Sequence, residues 1–515
     1  MTRTGRYVGN KLHVGAGVVY EFLAVPYAGN VAKEHRFGRS MIAKGNKVLA
    51  HRATGKKPSC VQGEDKAINE VVVETDEDCL HLNIWTPFLP KLCFDNCHLR
   101  HVVVAFVGRD FEFGGNGHEM YEGQYLAGYG DIVVVVPNFR LGVFGFLKTN
   151  SSKTSGNMGL YDQRVALDWV RENIEYFGGN TTKATVQIVP FGHDTGAVSL
   201  GYHLLSPERH WVQDAKKFIF HTSSPLRRFA DNSRAAISNA RILIRTAECL
   251  DVVKHGSWLR CLRTLHAEAL VRAVFKVQRS WPLFVPSFNT RLLPEAPWAM
   301  KSWDQPWLRN KQFLVGSVKD EGTVEMNMVL TRLQGDKSAQ FNANFVAEMH
   351  TLLQAYNLSE ISEIIKTYNG TEDSREFWQN VLGDILYICP LNYMAESLSS
   401  KGNAVYSFVF AQRPSWKGAG LATRYDDIHF LFGTPLRSSS ASSEVEKELT
   451  LTIINDWSRF VKNMRLSSGQ PWAPFSADAP NTVFVHSKGY ESSNTGFRKR
   501  QCDLLKKHLV SAAIN

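Results

Sequence analysis

The first half of the chain alternates short apolar runs with stretches of helical periodicity. Val102-Val103-Val104-Ala105-Phe106-Val107 is a continuous apolar run, and Ile132-Val133-Val134-Val135-Val136 is a second that ends at Pro137. Runs of this length without polar alternation predict strands buried on both faces. From Asp162 to Val170 the apolar residues recur at helical spacing, and Gly178-Gly179 supplies the stop signal. Val186 to Val189 predicts a third strand and Ala197 to Leu205 a helix behind it. Strand and helix in alternation predict an α/β fold, a largely parallel twisted sheet covered by helices on both faces. The second half is richer in helix, with strands predicted at Gln312 to Gly316 and Ala404 to Phe410 and an amphipathic helix from Leu449 to Val461. Ser438 to Ser443 is a short low-complexity loop, no internal repeat is visible, and one domain over residues 1–515 is expected.

Composition narrows the class. With 44% apolar and 21% charged residues among 515, the chain can bury a large core, and global disorder is excluded. The formal charge of +10 implies attraction to anionic surfaces. The longest basic clusters, Arg498-Lys499-Arg500 and Lys506-Lys507, are short, so the charge reads as a solubility charge and no nucleic-acid partner is expected. No apolar run approaches the roughly 18–20 residues that span a bilayer. Met1-Thr2-Arg3-Thr4 leads straight into strand-like sequence, so the numbered chain is expected either to be cytosolic or to lack its leader.

Cysteines and glycosylation signals favour the second reading. The eight cysteines, Cys60, Cys79, Cys93, Cys97, Cys249, Cys261, Cys389 and Cys502, show no C-x-x-C metal or redox spacing, and no metal or cofactor is expected. Asn-x-Ser/Thr acceptors occur at Asn150, Asn180, Asn357 and Asn369. Together they point to an oxidising, secretory setting.

Several long motifs, in order along nearly the whole chain, resemble the type-B carboxylesterase/cholinesterase family. They include Asp78-Cys79-Leu80-His81-Leu82-Asn83-Ile84-Trp85, Arg140-Leu141-Gly142-Val143-Phe144-Gly145-Phe146-Leu147 and Asn157-Met158-Gly159-Leu160-Tyr161-Asp162-Gln163. Lys319-Asp320-Glu321-Gly322, Phe430-Leu431-Phe432-Gly433 and Trp457-Ser458-Arg459-Phe460 continue the match. The resemblance implies an α/β-hydrolase fold and disulfides Cys60–Cys79, Cys249–Cys261 and Cys389–Cys502. Cys93 and Cys97 fall outside that pattern, and a local pairing is left open.

Hydrolases of this fold carry the nucleophile on a G-x-S-x-G strand–turn–helix elbow. This chain has Gly192-His193-Asp194-Thr195-Gly196, so the resemblance places Asp194 where the serine is expected. Counting back from Phe430-Leu431-Phe432-Gly433, the position expected for the histidine falls on Arg424, a guanidinium that cannot accept a proton. Glu321 matches the acid of the triad. At the oxyanion hole, Arg109 and Asp110 stand in the run Gly108-Arg109-Asp110-Phe111 where glycines are expected, and Thr195 follows the elbow residue. Pro190 is unusual in a central strand. The segment from Cys60 to Cys79 holds no aromatic residue, so the choline-binding tryptophan of cholinesterases is missing.

These departures predict a secreted pseudoenzyme that acts by binding a protein or ligand. A second reading makes Asp194 itself the nucleophile, with His193 or His429 as the nearest bases. A third is a carrier holding an apolar ligand in a residual gorge near Trp281, Trp298, Trp303 and Trp307. Pairing of C-terminal helices (Asp503 to Ala513) into a homodimer is also expected from the resemblance. Because Asp194, Arg424 and Glu321 converge in the fold the family implies, the planar guanidinium is expected to bridge the two carboxyls as an ionic clasp.

Overall fold

The computed structural model describes residues 2–15, 17–63, 74–93, 98–182, 187–227, 230–250, 257–277, 282–299, 303–333, 343–355, 361–368, 374–417, 420–437, 441–464, 466 and 472–510. Trp281, Cys97, Asn357, Asn369, Val186 and Ser438 to Ser440 lie outside them.

An 11-stranded sheet forms the centre. Its strands in chain order are β1 (Asn10–Val14), β2 (Gly17–Pro26), β3 (His81–Thr86), β4 (Val102–Phe106), β5 (Val133–Pro137), β6 (Ile188–His193), β7 (Lys217–His221), β8 (Gln312–Val318), β9 (Ala404–Phe410), β10 (Thr482–His486) and β11 (Gly489–Ser493). Across the sheet they run β11-β10-β9-β8-β7-β6-β4-β5-β3-β2-β1. From β5 through β10 every neighbour is parallel, and the pairs at both ends are antiparallel. This is the α/β-hydrolase architecture.

The continuous apolar runs are explained by two cores, one on each face. Val102, Val104 and Phe106 of β4 pack into one with Trp169 and Leu167, while Val103 and Ala105 pack into the other with Ile453 and Trp457. Successive residues of a strand point to opposite faces, so a strand covered on both sides must be apolar throughout. The covering helices include α1 (Met158–Asn173), α2 (Thr195–Leu205), α3 (Ser233–Thr246), α4 (Ser257–Thr264), α5 (Ala267–Val277), α6 (Thr323–Leu333), α7 (Arg375–Gly383), α8 (Cys389–Ser399), α9 (Asp426–Leu431), α10 (Glu444–Val461) and α11 (Lys499–Leu509). Helix α10 begins five residues before the predicted Leu449, because Ser443 and Glu446 form a capping box that satisfies its first amides.

The third predicted strand is corrected. It runs from Ile188 to His193, through Pro190, and helix α2 starts at Thr195 rather than Ala197. The registered pairing with β7 begins at Phe191, one residue after Pro190, while Pro190 itself is registered against Val104 of β4.

Disulfides Cys60–Cys79, Cys249–Cys261 and Cys389–Cys502 are formed. Cys93 is also disulfide-bonded. Among the described residues no helix is long and apolar enough to cross a membrane.

Candidate functional site: a buried arginine–carboxylate cluster at the strand–helix elbow

Between β6 and α2 the chain reverses within a single residue. Asp194 takes φ 49° and ψ −116°, a strained combination for a side-chain-bearing residue. The flanking glycines make the turn possible. A Cβ on Gly196 would lie 1.8 Å from the Phe106 carbonyl oxygen, and one on Gly192 would lie 2.5 Å from Cα of Ala197. The elbow is held by the Asp194 amide, which donates to the His221 carbonyl at 3.1 Å.

The Asp194 carboxylate is fully occupied. Arg227 donates from Nη1 to Oδ1 at 2.9 Å, and Arg424 from Nη1 to Oδ2 at 3.3 Å. Arg424 reaches Glu321 as well, with Nε 3.6 Å from Oε2, so the three expected side chains do meet. Its tightest partner, however, is Glu325, where Nη2 donates at 2.6 and 2.5 Å to the two carboxylate oxygens. Arg227 continues the chain of charges to Asp110 at 3.2 Å, and Asp110 is held by Arg109 at 2.6 Å. Tyr387 donates its hydroxyl to Glu325. Its ring lies between the two guanidiniums, 4.2 Å from Arg227 and 4.0 Å from Arg424. The side chains of Arg227, Arg424, Asp194 and Glu321 are all 0% exposed.

Local structure explains how these groups assemble. Glu321 lies in the turn that follows β8, and Glu325 lies four residues on in the first turn of α6, so one short segment supplies both carboxyls. Arg424 precedes Tyr425, whose φ of 78° turns the chain into α9. Tyr387 sits in a π-helical turn (Asp384–Ile388) between α7 and α8.

Burial and neighbouring charge pull these groups in different directions. Burial pushes the Asp194 carboxyl up to about 6 against the pull of Arg424 and Arg227. Burial also raises Glu321 well above the ordinary range, so it takes a proton readily. Burial opposes the charge of Asp110, yet Arg109 and Arg227 hold its carboxyl below the ordinary range. Burial opposes the charge of Arg424 too, but Glu325 and its other partners keep it well above its usual value. Guanidiniums of Arg109, Arg227 and Arg424 face carboxyls of Asp110, Asp194, Glu321 and Glu325. Three guanidiniums thus meet four carboxyls, and burial works against the charge of Glu321 and Asp194 while the arginines oppose it.

The segment expected to form the oxyanion hole is equally engaged. The Thr195 amide donates to the Gly108 carbonyl at 3.3 Å. Arg109 and Phe113 exchange backbone hydrogen bonds at 2.9 and 3.0 Å, and Asp110 and Phe111 adopt φ values of 56° and 57°. Side chains of Arg109 and Asp110 are buried in the space beside the elbow.

Neither candidate histidine is bonded to Asp194. His193 faces Tyr121, whose hydroxyl is 3.3 Å from Nδ1, and burial lowers its pKa to about 3. His429 lies 3.1 Å from the Thr434 hydroxyl. A third histidine, not anticipated, is more tightly built: His221 Nδ1 lies 2.7 Å from Asp427 Oδ2, and the Trp457 indole donates to Nε2 at 2.8 Å. The indole fills the one lone pair that a base would need, so this pair is an orienting contact across the sheet. Arg227, Glu325 and Tyr387 were also missed. Only Glu325 left a signal, its four-residue offset from Glu321.

Of the tryptophans proposed to line a gorge, Trp298, Trp303 and Trp307 are packed instead. Trp303 donates to the Pro297 carbonyl at 3.1 Å, Trp307 to the Leu204 carbonyl at 2.8 Å, and Trp298 packs edge-on to Phe288. A cleft of about 920 Å³ opens elsewhere, between Lys33 and Glu34, the arm around Thr75 to Glu77, and helices α4 and α5. None of those tryptophans, and no member of the charge cluster, lines it.

The carboxylesterase family model matches residues 1–505. Acetylcholinesterase-1 of Trittame loki is 28% identical over 98% of this chain and 93% of its own length. Acetylcholinesterases of Bungarus fasciatus and Danio rerio are each 28% identical, over 95% and 99% of this chain and 82% and 88% of theirs.

Proposed function

The chain belongs to the carboxylesterase family, and from that premise we propose that it is a secreted, non-catalytic member whose work is binding. The observation that carries this reading is the state of Asp194. At the elbow where a hydrolase presents its nucleophile, a carboxylate is buried and held from both sides by Arg227 and Arg424. A nucleophile needs an open face and a neighbouring base. Asp194 has neither, and Arg424 has no lone pair to offer. Glu321 then has no imidazole to orient. The Thr195 amide, directed to Gly108, is not available to a developing oxyanion in this arrangement.

An Asp194-ester mechanism is disfavoured by the same contacts. Attack by a carboxylate oxygen requires breaking a buried ion pair, and His193 and His429 are engaged with Tyr121 and Thr434 rather than with Asp194. The activity named for the acetylcholinesterase relatives is not proposed either, because no aromatic residue lies between Cys60 and Cys79 to hold a quaternary ammonium. Secretion is supported by disulfides Cys60–Cys79, Cys249–Cys261 and Cys389–Cys502. Asn150 is exposed and is the favoured glycan acceptor, ahead of the half-buried Asn180.

The direct test is turnover. Pure protein is expected to hydrolyse p-nitrophenyl acetate and butyrate no faster than a denatured control, and to take no label from a fluorophosphonate. Single-turnover reaction with an epoxide in ¹⁸O-water addresses the aspartate mechanism, because ring opening by Asp194 would form an ester whose hydrolysis at the carbonyl carbon leaves heavy oxygen in the peptide containing that residue. Ester turnover abolished by Asp194→Asn would overturn the proposal.

A further inference from the structure

Helix α3 (Ser233–Thr246) carries a row of arginines that no contact among the described residues uses. The helix contains no acidic residue. Its apolar face, Ala236, Ala240, Leu243 and Ile244, is turned into the core. Arg234, Arg241 and Arg245 are exposed on the other side. Offsets of seven and eleven residues bring side chains back to within about 20° of one line along a helix, so the three arginines form a straight strip roughly 16 Å long.

None of the three guanidiniums makes a hydrogen bond or ion pair among the described residues. The carboxyls nearest in sequence are otherwise placed: Asp231 accepts from the Asn239 amide at 3.1 Å, and Glu248 is exposed beyond the helix end. Helix α5, packed against α3, adds exposed Lys276, while its Arg272 is paired with Glu268 at 3.7 Å. By contrast, helix α11 spends its lysines within the molecule: Lys506 bonds Glu396, Lys507 bonds Glu363 and Lys499 bonds Asp503.

We propose that α3 is a docking strip for a linear sulfated polysaccharide. Guanidinium groups pair in a planar fork with the oxygens of sulfate, and a straight unneutralised row matches a polymer whose charges recur along a line. A bilayer is a poorer match. Surface-lying helices insert an apolar face, whereas the apolar face of α3 is committed to the core and Ile242 is its one large exposed apolar side chain. The disulfides favour an oxidising compartment, where sulfated glycans rather than nucleic acids are the polyanions encountered. The strip lies on the surface and does not depend on whether the elbow is silent.

The test is a heparin titration of the full chain over a range of salt concentrations. The variant Arg234→Gln/Arg241→Gln/Arg245→Gln is compared with a charge-matched control, Lys11→Gln/Lys44→Gln/Lys488→Gln, taken from exposed positions elsewhere. Each neutralised contact releases counterions, so the slope of log affinity against log salt should flatten by about two to three in the arginine variant. Its affinity at physiological salt should fall at least about tenfold, while the control stays close to wild type. Matching melting curves exclude a folding effect. Equal losses in both variants, or no loss in the arginine variant, would overturn the proposal. So would tighter binding to phosphatidylserine vesicles or single-stranded DNA than to heparin when that binding is lost in the same variant.

Discussion

Replacing Arg424 with alanine removes the one guanidinium that reaches Asp194, Glu321 and Glu325 together, at 3.3, 3.6 and 2.5 Å. What remains is a set of buried carboxyls with Arg227 as their principal cation. Stranding one partner of a buried ion pair costs roughly 3–5 kcal/mol, mostly as the penalty on the charge left behind. The unfolding entropy of about 2.1 cal/mol/K per residue, taken over 515 residues, comes to about 1.1 kcal/mol/K, so the melting temperature should fall by about 3–5 °C. Differential scanning calorimetry at matched scan rates is the assay, because a chain of this size with disulfides is prone to irreversible unfolding. Acidity provides a second arm. Without Arg424 the carboxyls have lost a favourable charge, so their pKa values rise further and the folded variant takes up protons more readily than the unfolded chain. The gap between variant and wild type should therefore narrow from about pH 7.5 to about pH 5.5. A variant that melts within 1 °C of wild type at neutral pH, or a gap that widens on acidification, refutes the cluster as a jointly held unit.

Four further outcomes follow from the same structure. Asp194 has a folded pKa of about 6 against 3.8 as its ordinary value, so its contribution to stability is full below about 3.8 and is lost as pH rises through about 6. Relative to Asp194→Asn, wild type should therefore gain on the order of 2–3 kcal/mol between pH 7 and pH 4, read from denaturant midpoints. The double substitution Asp194→Ser/Arg424→His should still fail to turn over p-nitrophenyl acetate, since Glu325, Arg227 and the Thr195–Gly108 hydrogen bond remain; robust turnover would show that two side chains alone silence the site. Cysteine-to-alanine pairs should rank by loop length: losing Cys389–Cys502, separated by 113 residues, should cost about 2 kcal/mol more than losing Cys249–Cys261, separated by 12. Gly196→Ala should give no folded protein in expression trials, because its Cβ has no room beside the Phe106 carbonyl.

The sheet was legible because burial on both faces leaves a strong mark in sequence. Val102 to Phe106 and Val133 to Val136 read as strands with no structural help. β6 was read short for a physical reason: Pro190, Gly192 and His193 have weak strand preference, and pairing with β4 and β7 overrides it. At the elbow, Asp194, Glu321 and Arg424 came into view through motif position. Arg227 and Tyr387 did not, since a loop arginine and a tyrosine in a π-helical turn obey no spacing rule that would tie them to residue 194. The pairing of His221 with Asp427 and Trp457 was hidden in the same way, by separations of 206 and 236 residues.

Tyr387, the ring held between the two guanidiniums, lies two residues before Cys389, whose disulfide reaches Cys502 in α11. Arg227, Arg424 and Glu325 thus gather at a ring leashed to the far end of the chain, and through them Asp194 and Asp110 are held. The disulfide that anchors the C-terminal helix thereby also anchors the ring against which the elbow's guanidiniums rest.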